Sequence, residues 1–105
     1  MNIKETQKTV HDLARIKGFW DGEDHNISEK LMLIVSELGE AQEALRSGNL
    51  QVGKNWRKDT LSDELADATI RIMDLCEYLG IDLEWQIDCK YKYNTNRPYK
   101  HGRNF

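Results

Sequence analysis

The chain carries two acidic pairs, Glu37-x-x-Glu40 within SELGEAQEAL and Glu64-x-x-Asp67 within DELADATIRIMDL, each set in an apolar helical pattern. Residues three apart on a helix point the same way, with Cβ atoms about 5–6 Å apart, so each pair directs two carboxylates into one small volume. Two such helices facing each other make a four-carboxylate cage. Hard oxygen donors of this kind suit Mg2+ or Mn2+, and protein-bound Mg2+ usually serves phosphate chemistry. A single E-x-x-E is common on a solvated helix face. These two stand out because both lie beside the core stripe of an apolar helix, and the linker between them is long enough to make the helices antiparallel neighbours.

The elements that must position these residues read as helices throughout. Ile3, Val10, Leu13 and Ala14 recur at helical spacing over about 3–17, and Gly18 ends that pattern. After the polar turn DGEDHN, Ser28 is a suitable N-cap, with Ile27 and Met32 placed as a hydrophobic staple. The second helix then runs to Gly48 with a core stripe of Leu31, Ile34, Val35, Leu38, Ala41 and Leu45, while Leu33, Glu37, Glu40 and Ala44 share another side. Residues 47–59 hold two glycines and lack periodicity, the mark of a long connection. Thr60 caps a third helix that ends at Gly80, with Leu61, Leu65, Ala68, Ile72, Leu75, Cys76 and Leu79 as its core stripe. Glu64, Asp67, Arg71 and Asp74 lie on its flank. Asp82 caps a fourth helix carrying Leu83, Trp85, Ile87 and Cys89, which reaches Tyr93 or Asn94 before Pro98 forbids its continuation. The tail from about 95 is basic, and its end, YKHGRNF, is expected to be extended. With no β-alternation and no internal repeat, the expected fold is all-α, a bundle of about four helices in a single domain over 1–105.

The order Lys30, Glu37-x-x-Glu40, a variable linker, Glu64-x-x-Asp67 and a closing helix with Lys90, Asn94 and Arg97 resembles the MazG-like branch of the all-α nucleoside triphosphate pyrophosphatases, in its compact single-domain form. The likeness covers nearly the whole chain from about His11. It implies Mg2+-dependent hydrolysis between the α and β phosphates, giving a nucleoside monophosphate and pyrophosphate, with Mn2+ as a substitute ion. By that resemblance Glu37, Glu40, Glu64 and Asp67 are metal ligands, and Glu37 or Glu40 handles the attacking water. The physics agrees, since a triphosphate approaches four carboxylates only when divalent ions offset the repulsion.

Lys90, Asn94 and Arg97 fall on one face of an extended helix and are expected to grip phosphates, as is Lys30, seven residues before Glu37. Lys54, Arg57 and Lys58 in the linker either close over a substrate or simply solvate the surface. Trp20 offers a stacking platform for a base or a packing residue; Trp56 reads as a lid or subunit contact, and Trp85 as core. His11, His25 and His101 have no ligand spacing, and the missing E-x-x-H weighs against a di-iron carboxylate bundle.

Composition narrows the remaining classes. At 105 residues the chain buries only a modest core by itself, which is compatible with oligomerisation, and the resemblance implies a homodimer or homotetramer. A net charge of −3 argues against a nucleic-acid binder, because phosphate-backbone affinity needs an excess of Lys and Arg. Cys76 and Cys89 lack CxxC spacing and read as reduced thiols of a cytoplasmic protein. No apolar run suits a membrane, and the polar start does not suit a signal peptide. Two alternatives share the pattern: a pyrophosphatase specialised for a pyrimidine deoxynucleotide such as dUTP or dCTP, and a non-catalytic helical adaptor.

Overall fold

The computed structural model describes residues 2–102, without the His101 side chain; the end of the expected tail, residues 103–105, lies outside the described residues. The described chain is all-α. Four α-helices, α1 (Ile3–Ile16), α2 (Ile27–Arg46), α3 (Leu61–Leu79) and α4 (Leu83–Thr95), are followed by a 3-10 turn at Tyr99–Gly102. The tail segment expected to be extended therefore curls into that turn.

Each helix starts on a side-chain cap. Asn2, Asn26, Thr60 and Asp82 accept from the backbone N–H groups of Glu5, Glu29, Asp63 and Trp85, satisfying donors that a helix start leaves free. Thr60 and Asp82 are the expected caps, but α2 begins on Asn26 rather than Ser28. Asn26 competes successfully because its side-chain carbonyl bonds to the N–H three residues on. That shift moves Ile27 inside the helix, so the Ile27–Met32 staple does not form. At its other end α3 stops on Gly80, whose φ of 72° is left-handed; Ile81 N–H bonds back to the Cys76 carbonyl at 2.9 Å and turns the chain into α4.

Helix α3 is central, packing along α2 on one side and α1 on the other, while α4 makes a smaller contact with α1. The buried apolar centre is small: Trp20, Ile34 and Leu75, with Ala14 and Ile27 against them. Polar ties fasten the α1 side, where Gln7 Nε2 donates to Glu77 Oε1 at 3.1 Å and to the Ile81 carbonyl at 2.7 Å. The face that α2 buries is Ile34, Ala41 and Ala44, flanked by Glu37; Leu31, Val35, Leu38 and Leu45, expected as core, are about half exposed. Leu65, Ile72 and Leu79 of α3 are exposed likewise, and so is Trp85, which lies on α4 at 59 % exposure instead of in a core. The Cα radius of gyration is 16.1 Å, against roughly 13 Å for a compact 100-residue domain. Among the described residues, no helix is long and apolar enough to cross a membrane.

Candidate metal centre

The carboxylates gather where α2 and α3 run side by side. One oxygen from each of Glu37, Glu40 and Glu64 falls within 4.8 Å of the others, three carboxylates converging from two helices. Glu64 is 4 % exposed although it belongs to the first turns of α3, and the α2 residues buried along the same helix pair include the small side chains Ala41 and Ala44.

The electrostatics follow from that burial. Desolvation first, then hydrogen-bonding contact with Glu40 and Glu37, and then the charges of Glu40 and Asp67, push the Glu64 carboxyl up to about 7. Asp67 is raised as well, by burial, by Asp63 and by Glu37, with the Arg71 guanidinium opposing. From the α3 side Arg71 Nε donates to Glu37 Oε1 at 2.9 Å. Glu37 Oε2 and Glu64 Oε2 are buried and have no hydrogen-bond partner. A buried carboxylate oxygen without a donor is costly. Like charges gathered around unpartnered oxygens form a site that a divalent cation would complete, and the all-oxygen donor set fits a hard ion such as Mg2+ or Mn2+.

The other residues singled out from the sequence lie at varying distances from this centre. Asp67, expected as the fourth carboxylate, lies one turn along α3 from Glu64 and is not among the three whose oxygens converge, although the charges of Glu37 and Glu40 reach it. Lys30 is on the same stripe of α2 as Glu37, but two turns away, about 10.5 Å along the axis; its Nζ donates to the Phe19 carbonyl at 3.1 Å and sits 4.3 Å from the Trp20 ring centroid. Lys90 and Arg97 flank the Tyr93 ring, at 4.8 and 5.5 Å from its centroid, with Arg97 two residues beyond the end of α4. Asn94 has a buried, unpartnered Oδ1.

Trp20 is buried at 9 %, stacked on Tyr78 with centroids 4.2 Å apart and planes 13° from parallel. Its Nε1 donates to Asp74 Oδ1 at 2.9 Å, the same oxygen that meets His11 Nδ1 at 2.7 Å. An open cleft of about 520 Å3 lined by Asp12, Arg15, Ile16, Trp20 and Asp21 borders this cluster. A smaller one of about 260 Å3 runs along the linker beside Lys54, Trp56 and Asp63.

Arg71, Asp63 and the His11–Asp74–Trp20 cluster were not singled out by motif spacing. Arg71 had a signal, since it shares one helical stripe with Glu64 and Asp67, seven and four residues on. His11 had none that spacing could reveal, because its partner is sixty-three residues away on another helix.

No protein-family model matches the sequence, and no curated protein sequence does. Among solved structures, the crystal structure of iMazG from Vibrio DAT 722 is similar, with a TM-score of 0.69 and 22 % identity over 90 % of this chain and 99 % of that one. A four-helix path that matches almost end to end, with no strand among the described residues, gives this chain the MazG-like all-α fold.

Proposed function

We propose that this protein hydrolyses nucleoside triphosphates to a nucleoside monophosphate and pyrophosphate in a Mg2+-dependent reaction, for sanitation or control of the nucleotide pool. The observation that carries this reading is the Glu37–Glu40–Glu64 cluster with its buried, donorless oxygens. The likeness to a protein of MazG type adds to it.

Glu37, Glu40, Glu64 and Asp67 would hold the ion. Bound there, Mg2+ or Mn2+ offsets the repulsion between triphosphate and carboxylates and lowers the pKa of a bound water. Arg71 fixes the plane of Glu37 through Oε1, which leaves Oε2 for the ion or for orienting and deprotonating the water; Glu40, exposed at the rim, is the other candidate for that proton. Lys30, Lys90, Asn94 and Arg97 would meet the phosphates, Arg97 through a two-pronged fork and the lysines as mobile point charges. Trp20 would offer the base one edge at the cleft it lines, its ring held by Tyr78 and Asp74. The half-exposed leucines of α2 and α3, together with the extended shape, support a homodimer or homotetramer in which a second copy covers them.

The test is pyrophosphate release from a panel of canonical, deoxy and modified nucleoside triphosphates, dUTP and dCTP included, with Mg2+, with Mn2+ and with chelator. Monophosphate formation that needs the ion is expected. Folded protein that is silent across the panel would sink the proposal.

A further inference from the structure

We infer that Arg71 binds substrate directly: anchored by its Nε to Glu37, it offers its two Nη groups to the phosphate nearest the nucleoside, the one retained in the monophosphate product. This rests on the triphosphate reading above. Arg71 Nε donates to Glu37 Oε1 at 2.9 Å, and the arginine side chain keeps 37 % of its surface exposed against 12 % for Glu37. Glu37 Oε2 is buried without a partner, so the guanidinium does not close its fork on that carboxylate. Among the described residues no other acceptor takes an N–H of Arg71. A pair so open to water is a weak clamp, and cohesion of α2 and α3 does not account for an arginine here.

Position selects the phosphate. Along α3, Arg71 follows Glu64 and Asp67, and Asp74, which accepts from the Trp20 indole at 2.9 Å, comes three residues later. At 1.5 Å per residue Arg71 stands about 10.5 Å along the axis past Glu64 and about 4.5 Å before Asp74. It therefore lies between the carboxylates that would hold the ion and the tryptophan that lines the larger cleft. A substrate with its scissile bond at the ion and its base toward Trp20 carries its nucleoside-linked phosphate past Arg71. The cations expected from spacing are engaged elsewhere, Lys30 on the Phe19 carbonyl and Lys90 and Arg97 over the Tyr93 ring.

A guanidinium matches two phosphate oxygens at once and keeps its charge at any working pH. As water adds to that phosphorus, the bond to the bridging oxygen breaks and its electron pair leaves with pyrophosphate. Charge gathering on the non-bridging oxygens then meets a donor already in place, because Glu37 holds it there.

The test is calorimetric binding, in Mg2+, of the four deoxynucleoside monophosphates and of inorganic pyrophosphate to the full chain and to Arg71→Lys. Mn2+ affinity by electron paramagnetic resonance and helicity by circular dichroism are measured alongside. Lysine supplies a charge for Glu37 but cannot anchor there and fork a phosphate at once. Arg71→Lys should therefore lose about 10–100-fold in affinity for the monophosphate that wild type binds best, with pyrophosphate affinity, Mn2+ affinity and helicity unchanged. Full monophosphate affinity in the variant would overturn the inference and leave Arg71 as a support for Glu37. Loss of pyrophosphate or Mn2+ affinity in place of the monophosphate would overturn it too. Wild-type protein that binds Mn2+ but no monophosphate would sink the inference alone, the proposed function keeping its own turnover test. No Mn2+ bound to the wild type would remove both readings together.

Discussion

Two carboxylates on α3, Asp74 and Glu64, are both withdrawn from solvent, yet the protein treats them in opposite ways. Asp74 meets the His11 ring nitrogen and the Trp20 indole N–H on one oxygen, inside an aromatic cluster completed by Tyr78 and His25. Glu64 faces Glu37 and Glu40 and has an oxygen with no donor at all. The first is a satisfied network that holds α1 and the α1–α2 turn to α3; the second is an arrangement that costs stability. Burial alone does not mark a functional carboxylate. Unmet demand for positive charge does.

The largest expected effect that would break this contrast is on turnover. Glu37→Gln should lower kcat by about 10²–10⁴-fold if Glu37 orients or deprotonates the water, while leaving helicity by circular dichroism intact. Near-normal activity in that variant would place Glu37 with Asp74, as architecture.

The next effect is on stability as a function of pH. Glu64 titrates at about 7 in the folded chain, above its ordinary carboxylate value of 4.5. The folded state therefore binds a proton more tightly than the unfolded one, and chelator-treated protein should lose stability as pH rises from about 4.5 to about 7. Above that window the loss is complete. Mn2+ affinity should rise across the same range, because the ion displaces that proton. Urea unfolding at several pH values, with and without Mn2+, measures both; a flat profile without the ion would contradict the assignment.

Smallest is the cost at the satisfied end. Asp74→Ala leaves two buried donors unpaired and should destabilise the fold by about 1–3 kcal/mol, read as a shift in urea midpoint. If it instead stabilised the protein, Asp74 would belong with Glu64 as a strained group and the contrast would vanish.

Much of this was legible in the residues themselves. Helix count, the Thr60, Gly80 and Asp82 boundaries and the shared face of Glu37 and Glu40 follow from caps and three-residue spacing, which are local; that Glu64 meets them follows only once α2 and α3 are set side by side by the long linker. The N-cap of α2 was misplaced because Asn26 and Ser28 are both good caps two residues apart, and local chemistry does not rank them. The stripe of α2 was misjudged for a different reason. Ile34 and Ala41 of the expected stripe are buried, but Leu31, Val35, Leu38 and Leu45 beside them are about half exposed, and Ala44 from the neighbouring side joins the buried face instead. Periodicity reports that a face is apolar but not what covers it. The Asp74 cluster was invisible because its partners come from three separate elements.

The clasp at the base of the linker has a consequence of another kind. Leu61 N–H bonds to the Asn49 carbonyl at 2.8 Å, Asn49 Nδ2 to the Asp59 carbonyl, and Ser62 Oγ to the Leu50 carbonyl at 3.1 Å. The two feet of the loop are stitched to each other and to α3, so the residues between Leu50 and Asp59 hang from a closed ring. Doubling the length of such a loop adds only about 0.6 kcal/mol of closure entropy. The segment is an exchangeable cassette: its length and side chains can drift, or be redesigned, while the helices beneath keep their carboxylates in register.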